Sequence, residues 1–144
     1  MSWDISIQDL PADVQSVADI SNDYRPRPLG TRDELIQRIQ QLLPQVDFSD
    51  PSWGMLDDSA FSIEFNMGSE EICHGFMLHV RGGGSPIATI SRLLQHLNVR
   101  AIDCQTGDFF SPEVAQASFG QWQAYRDRVI REKSSSDDNE TPAA

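Results

Sequence analysis

The stretch "FMLHVRGGGSPIATISRLLQHL", Phe76 to Leu97, changes its hydrophobic period in the middle. Apolar residues crowd an extended run before the glycines. After them, Ile87, Ile90, Leu93, Leu94 and Leu97 recur at helical spacing. A strand must therefore turn sharply into an amphipathic helix. Gly82, Gly83 and Gly84 allow backbone dihedrals that other residues reach only with strain. Ser85 and Pro86 suit the N-cap and the first helical position, and Asn98 ends the helix. Such a unit requires a sheet with a helix lying on it, and the rest of the chain must be arranged around that pair.

The same turn is a candidate anion site. A helix N-terminus offers free N–H groups and a partial positive charge, and Arg81 adds a full one. The set is Arg81, Gly82, Gly83, Gly84 and Ser85. Two phosphate motifs are excluded. A P-loop needs Lys and then Ser or Thr after the glycines, where this chain has Ser85-Pro86. A dinucleotide fingerprint aligned on Gly82 and Gly84 needs a small residue where Ile87 stands. Pro86 also removes one N–H donor. A tight strand-to-helix turn is the simpler reading.

Around this unit the alternation predicts more strands. In "WDISIQDL", Trp3, Ile5 and Ile7 oppose Asp4, Ser6 and Gln8. In "FSIEFNM", Phe61, Ile63, Phe65 and Met67 oppose Ser62, Glu64 and Asn66. "ICHGFMLHVR" is apolar on both sides and reads as one central strand. A short strand is expected near Trp53–Leu56, with Asp57-Asp58-Ser59 turning the chain back. "VRAIDC" reads as a strand, "QTGD" as a turn, and Phe109-Phe110 as the start of a return strand. Residues 11–30 carry three prolines, Pro11, Pro26 and Pro28, and read as an irregular connection with a helical turn at Asp13–Ala18. "DFSDPSWG" reads as a turn-rich connection.

Two further helices are expected. One starts at Thr31, whose spacing from Glu34 fits a capping box. It buries Leu35, Ile36, Ile39, Leu42 and Leu43, and Pro44 closes it. The last runs from Pro112, after an N-cap Ser111, to Arg131, with Val114, Phe119, Trp122, Tyr125 and Val129 as docking residues. The order of elements predicts an α+β domain: a single mixed, mainly antiparallel sheet with helices packed mainly on one face. At 144 residues and 39% hydrophobic, one such domain over residues 1–133 can bury a core without disulfides or metals. "SSSDDNETPAA", from Ser134 to Ala144, has no large apolar residue and carries Asp137, Asp138 and Glu140. It reads as a disordered acidic tail.

The formal net charge of −11 remains strongly negative without the tail. An acidic domain repels phosphate backbones and anionic membranes, and is steered toward basic partners. No run of apolar residues matches a signal peptide or a membrane span, so the cytoplasm is expected. Cys73 and Cys104 sit in no CxxC pair. Within one strand, Cys73 and His79 would lie about 20 Å apart, too far for a catalytic dyad. Cys104, on another strand, remains able to approach either His74 or His79. Metal-ligand spacings are absent, so no metal and no cofactor are expected. Asp103 lies in an apolar strand and needs a partner, for which Arg100 and Arg81 are the candidates.

Together "MSWDISI", "DFSDPSWG", "FSIEFNMG", "LHVRGGGSPI" and "AIDCQTGDFF" resemble the pattern of a family of short bacterial proteins, over roughly residues 1 to 130. The resemblance implies a cytoplasmic partner or immunity protein of a bacterial toxin system, and it brings no catalytic residue set. The resulting expectation is a non-catalytic, cytoplasmic protein-binding domain that neutralises a toxin with a basic surface. Trp53, Asp57, Asp58, Glu70 and Glu71 are its candidate contact residues. The alternative is a small-anion or nucleotide-binding regulator built on Arg81–Ser85.

Overall fold

Alternation in the first strand, β1 (Trp3–Gln8), buries Trp3, Ile5 and Ile7 and turns Asp4, Ser6 and Gln8 to the other side. The same two-sided pattern repeats through the computed structural model, which describes residues 1–139. After β1 come β2 (Gly30–Thr31), α1 (Arg32–Leu42), β3 (Asp47–Asp50), β4 (Trp53–Asp57), β5 (Phe61–Asn66) and β6 (Ile72–Cys73). They are followed by β7 (Gly75–Gly82), α2 (Pro86–Leu97), β8 (Arg100–Asp103), β9 (Asp108–Phe109) and α3 (Pro112–Asn139). Seven strands form one sheet in the order β3-β4-β5-β7-β1-β8-β9. Every pairing is antiparallel. β2 and β6 form a separate two-stranded ribbon. The fold is α+β, with β7 at the centre of the main sheet.

All three helices bury their apolar stripes in one core with the inner face of this sheet. Leu35 and Ile39 of α1, Ile87, Ile90, Leu93, Leu94 and Leu97 of α2, and Phe119 and Trp122 of α3 join Ile5, Ile63, Phe65 and Leu78 there. Thr31 caps α1 by accepting from the Glu34 N–H. Asn98 closes α2 in the left-handed conformation. A reciprocal clasp holds α1 against α2: Arg38 donates to the His96 carbonyl, and the His96 ring donates to the Arg38 carbonyl.

Several boundaries differ from expectation. "DFSD" is the edge strand β3, because pairing to β4 satisfies its backbone despite polar residues of low strand propensity. The run from Ile72 to Arg81 is two strands: β6 pairs with β2, while β7 enters the main sheet. The helical turn before β2 is a 3₁₀ turn at Val17–Asp19. Ser85 occupies the N-cap of α2 without a side-chain cap bond. On α3 the buried stripe is Ala115, Ser118, Phe119 and Trp122, while Val114 and Tyr125 are exposed. The backbone of α3 continues to Asn139, into the segment expected as tail; residues 140–144 of that segment lie outside the described residues.

Both margins of the sheet are short. β3 has an irregular register against β4. β9 has two residues, and beside it Asp108 accepts from the Val17 N–H and the Ser16 hydroxyl. The segment from Asp9 to Asp19 thus lies against the β8–β9 end of the sheet. Arg100 fastens it by donating to the carbonyls of Pro11 and Val14 while lying over the Phe109 ring.

Candidate functional site

The glycine loop engages part of its backbone internally, through the Gly83 N–H and the Gly82 carbonyl. Gly82 and Gly84 have φ of +99° and +66°. A Cβ on Gly82 would lie 2.7 Å from the Ala60 carbonyl oxygen, and one on Gly84 would lie 2.6 Å from Ala60 Cβ. The Gly83 N–H donates to the Ala60 carbonyl at 2.8 Å. The Gly82 carbonyl accepts from Arg126 of α3 at 2.9 Å. Ser85 follows and Pro86 opens α2 without a donor. Arg81 leaves β7 on the opposite face from α2 and pairs with Glu64 at 2.6 Å. The guanidinium and the loop amides are therefore not brought together, and the turn that packs on the loop carries Asp58.

The proposed contact acids also divide. Asp57 and Asp58 lie at one end of β5 and Glu70 and Glu71 beyond the other. Six residues of strand separate the pairs by about 20 Å. Trp53 stands on the sheet face away from the helices and is 38% exposed.

Register shows what surrounds it. One row across this outer face reads Asp47, Met55, Glu64, His79 and Asp4. The next reads Asp50, Trp53, Asn66, Met77, Ser6 and Ile102. Asp57 and Arg81 lie in the row on the other side of the first. Trp53 reaches diagonally over β5 to stack on His79, with ring centroids 5.8 Å apart and planes 23° apart. His79 Nδ1 donates to Asp4 Oδ1 at 2.8 Å, and the Ser2 hydroxyl also donates to that oxygen. The arrangement interleaves Trp53, Met55 and Met77 with Glu64 and Asn66, sets Asp4, Asp47, Asp50 and Asp57 farther out, and lies on the face away from the packed helices.

The two thiols differ in setting: Cys73 is buried in the core and Cys104 is exposed. Cys73 donates to the Gly75 carbonyl, and burial pushes its pKa up. Cys104 opens the turn that follows β8, where its N–H donates to the Asp4 carbonyl, so β1 separates it from His79, and the strand expected to include it ends at Asp103. Burial, and then the Asp4 and Asp103 carboxylates, push its thiol up as well. Raised values disfavour the thiolate that nucleophilic chemistry requires. His74 is exposed between β6 and β7. Among the described residues no cluster of His, Cys, Asp and Glu is arranged to hold a metal, and no helix is long and apolar enough to cross a membrane.

Asp103 has partners other than those expected. Its carboxylate accepts from the Trp3 indole at 3.0 Å and from the Gln105 N–H at 2.9 Å, inside the core. Arg100 and Arg81 are occupied elsewhere. A groove of about 530 Å³ lies between the second half of α2 and residues 8–12. Its two charged groups are already engaged: Asp9 accepts from Tyr24 and Arg27, and Arg100 holds Pro11 and Val14. Ser91 Oγ, which lines the same groove, has no partner among the described residues, and Trp53 of the outer face is one of several exposed large apolar residues, with Ile72, Val114, Tyr125 and Ile130. The Trp53–His79–Asp4 contact needs strand register to be seen; the only signal in the sequence is that Asp4 and His79 occupy alternate positions facing away from the core. Comparison with family models, with characterised proteins and with solved structures finds no match to this chain.

Proposed function

We propose that this chain is a non-catalytic, cytoplasmic protein-binding domain that docks a basic partner on the outer face of its sheet, as an immunity protein does when it covers a toxin's substrate cleft. The observation that carries this reading is the partly exposed set of Trp53, Met55 and Met77 on a sheet face that also bears Asp4, Asp47, Asp50 and Asp57, with Glu64 between the apolar residues and paired to Arg81. An aromatic and methionine centre with a charged rim is the composition of an interface, where the centre supplies affinity and the rim supplies steering and selection. The excess of acids over bases across the chain, 22 against 11, points the steering toward cations.

The test is capture from a lysate of the source, with the wild type beside Asp47→Asn/Asp50→Asn/Asp57→Asn and a control Glu70→Gln/Glu71→Gln. A basic protein should be retained by the wild type and the control. Its association with the triple variant should be at least about tenfold slower at low salt, and the difference should shrink as salt rises. Retention of an acidic partner, or of a basic one at a rate indifferent to all three substitutions, would sink the reading.

A further inference from the structure

We propose that the Trp53–His79–Asp4 array is a receptor for an arginine side chain of the partner. The inference rests on the basic-partner reading above and specifies which cation that partner must present. Because a carboxylate only accepts, the Asp4 contact places a proton on His79 Nδ1. A ring that carries only that proton presents Nε2 as an acceptor, and Nε2 has no partner among the described residues. The Ser2 and His79 contacts both fall on Asp4 Oδ1, leaving Oδ2 as a further acceptor. Trp53 lies beside these acceptors, nearly parallel to the imidazole and partly open to solvent. Its π-surface and the acceptors thus adjoin one another on the bare face.

A guanidinium fits that combination because it is planar, stacks on aromatic faces and carries five donors in its own plane. A lysine ammonium carries the same charge without the plane, and is held by its stronger hydration. The neighbouring pair of Arg81 and Glu64 shows that the same face already accommodates one guanidinium against a carboxylate. Phosphate and carboxylate ligands are disfavoured by the acids around the array.

The methionines supply the readout. Met55 and Met77 lie on the outer face, while Met67 is buried in the core. The full chain, labelled with ¹³C at the methionine methyls, is titrated with hexa-arginine and separately with hexa-lysine at the same salt. Hexa-arginine should move the Met55 and Met77 methyls and leave Met67 still. It should bind about two- to fivefold tighter than hexa-lysine, the scale of an exposed cation–π contact. Trp53→Ala should erase that preference while the Met67 signal stays in place, showing the core intact. Equal affinity for the two peptides, or a preference that survives Trp53→Ala, overturns the receptor but leaves a basic partner possible. Binding of neither peptide overturns the receptor and the basic-partner reading together.

Discussion

Gly82 and Gly83 are adjacent and alike in sequence, yet only one of them has to be glycine. At Gly82 a left-handed backbone and the Ala60 carbonyl leave no room for a methyl group; at Gly83 a Cβ would meet Gln123 Nε2 at an ordinary 3.7 Å. Gly82→Ala should lower stability by about 2 kcal/mol or more in urea denaturation, from the αL penalty plus the clash. Gly83→Ala should fall within about 0.5 kcal/mol of wild type. That a turn stands here was legible from three glycines between two hydrophobic periods. Which glycines are obligatory was not, because the obstacle, Ala60, belongs to another turn. Asp103 teaches the same lesson more strongly. Its need for a partner followed from a charge in an apolar strand, but the partner, Trp3, is 100 residues away in sequence. A search limited to opposite charges overlooks an indole N–H.

Among the elements, α3 shows how large apolar residues mislead. Val114 and Tyr125 drew attention, but the packed face runs through Ala115, Ser118, Phe119 and Trp122 at i, i+3, i+4 and i+7. Two members of that face are small and carry little hydrophobic signal. Phe119 stacks on Trp122 and meets Trp3 on a tilt of 34°. Phe119→Ala should therefore cost about 3–5 kcal/mol by denaturant titration, and Val114→Ala no more than about 0.5. α1 and α2 were legible because their stripes are wide and because Thr31 before α1 and Asn98 after α2 mark a start and an end. The irregular segment before β2 was legible only as irregular, since the carboxylates that pin it act at a distance. Asp108 accepts from the Val17 and Phe109 N–H groups and from Ser16, and these bonds hold its pKa below the usual carboxylate value. Asp9 is lowered likewise by the Arg27 N–H and Tyr24. A depressed folded-state value means the unfolded chain takes up the proton first as pH falls. The stabilisation is therefore present above about pH 4 and lost below it. Amide exchange at Val17 and Arg27, corrected for intrinsic rates, should accelerate on going from pH 5 to pH 3. Asp108→Ala should release Val17 already at pH 5 and leave Arg27 protected.

For the whole molecule, layer architecture was the easiest feature to infer and strand register the hardest. Alternation in β1 and β5 and the helical stripes of α1 and α2 already imply one sheet with helices on one side. Nothing local states that β7 lies between β5 and β1, and the outer face takes its meaning from that neighbourhood: Trp53 meets His79, and His79 meets Asp4, only across strands distant in sequence. The acids named from their turns, Asp57 and Asp58 against Glu70 and Glu71, lie at opposite ends of a strand. The two margins of the sheet carry a consequence of their own. β3 is bulged and bears Asp47 and Asp50, and β9 is two residues long beside a fastened segment. A second copy approaching edge-on meets no straight row of free backbone donors and acceptors. The sheet has nowhere to grow, and a concentrated solution of the protein should stay dispersed instead of seeding fibres.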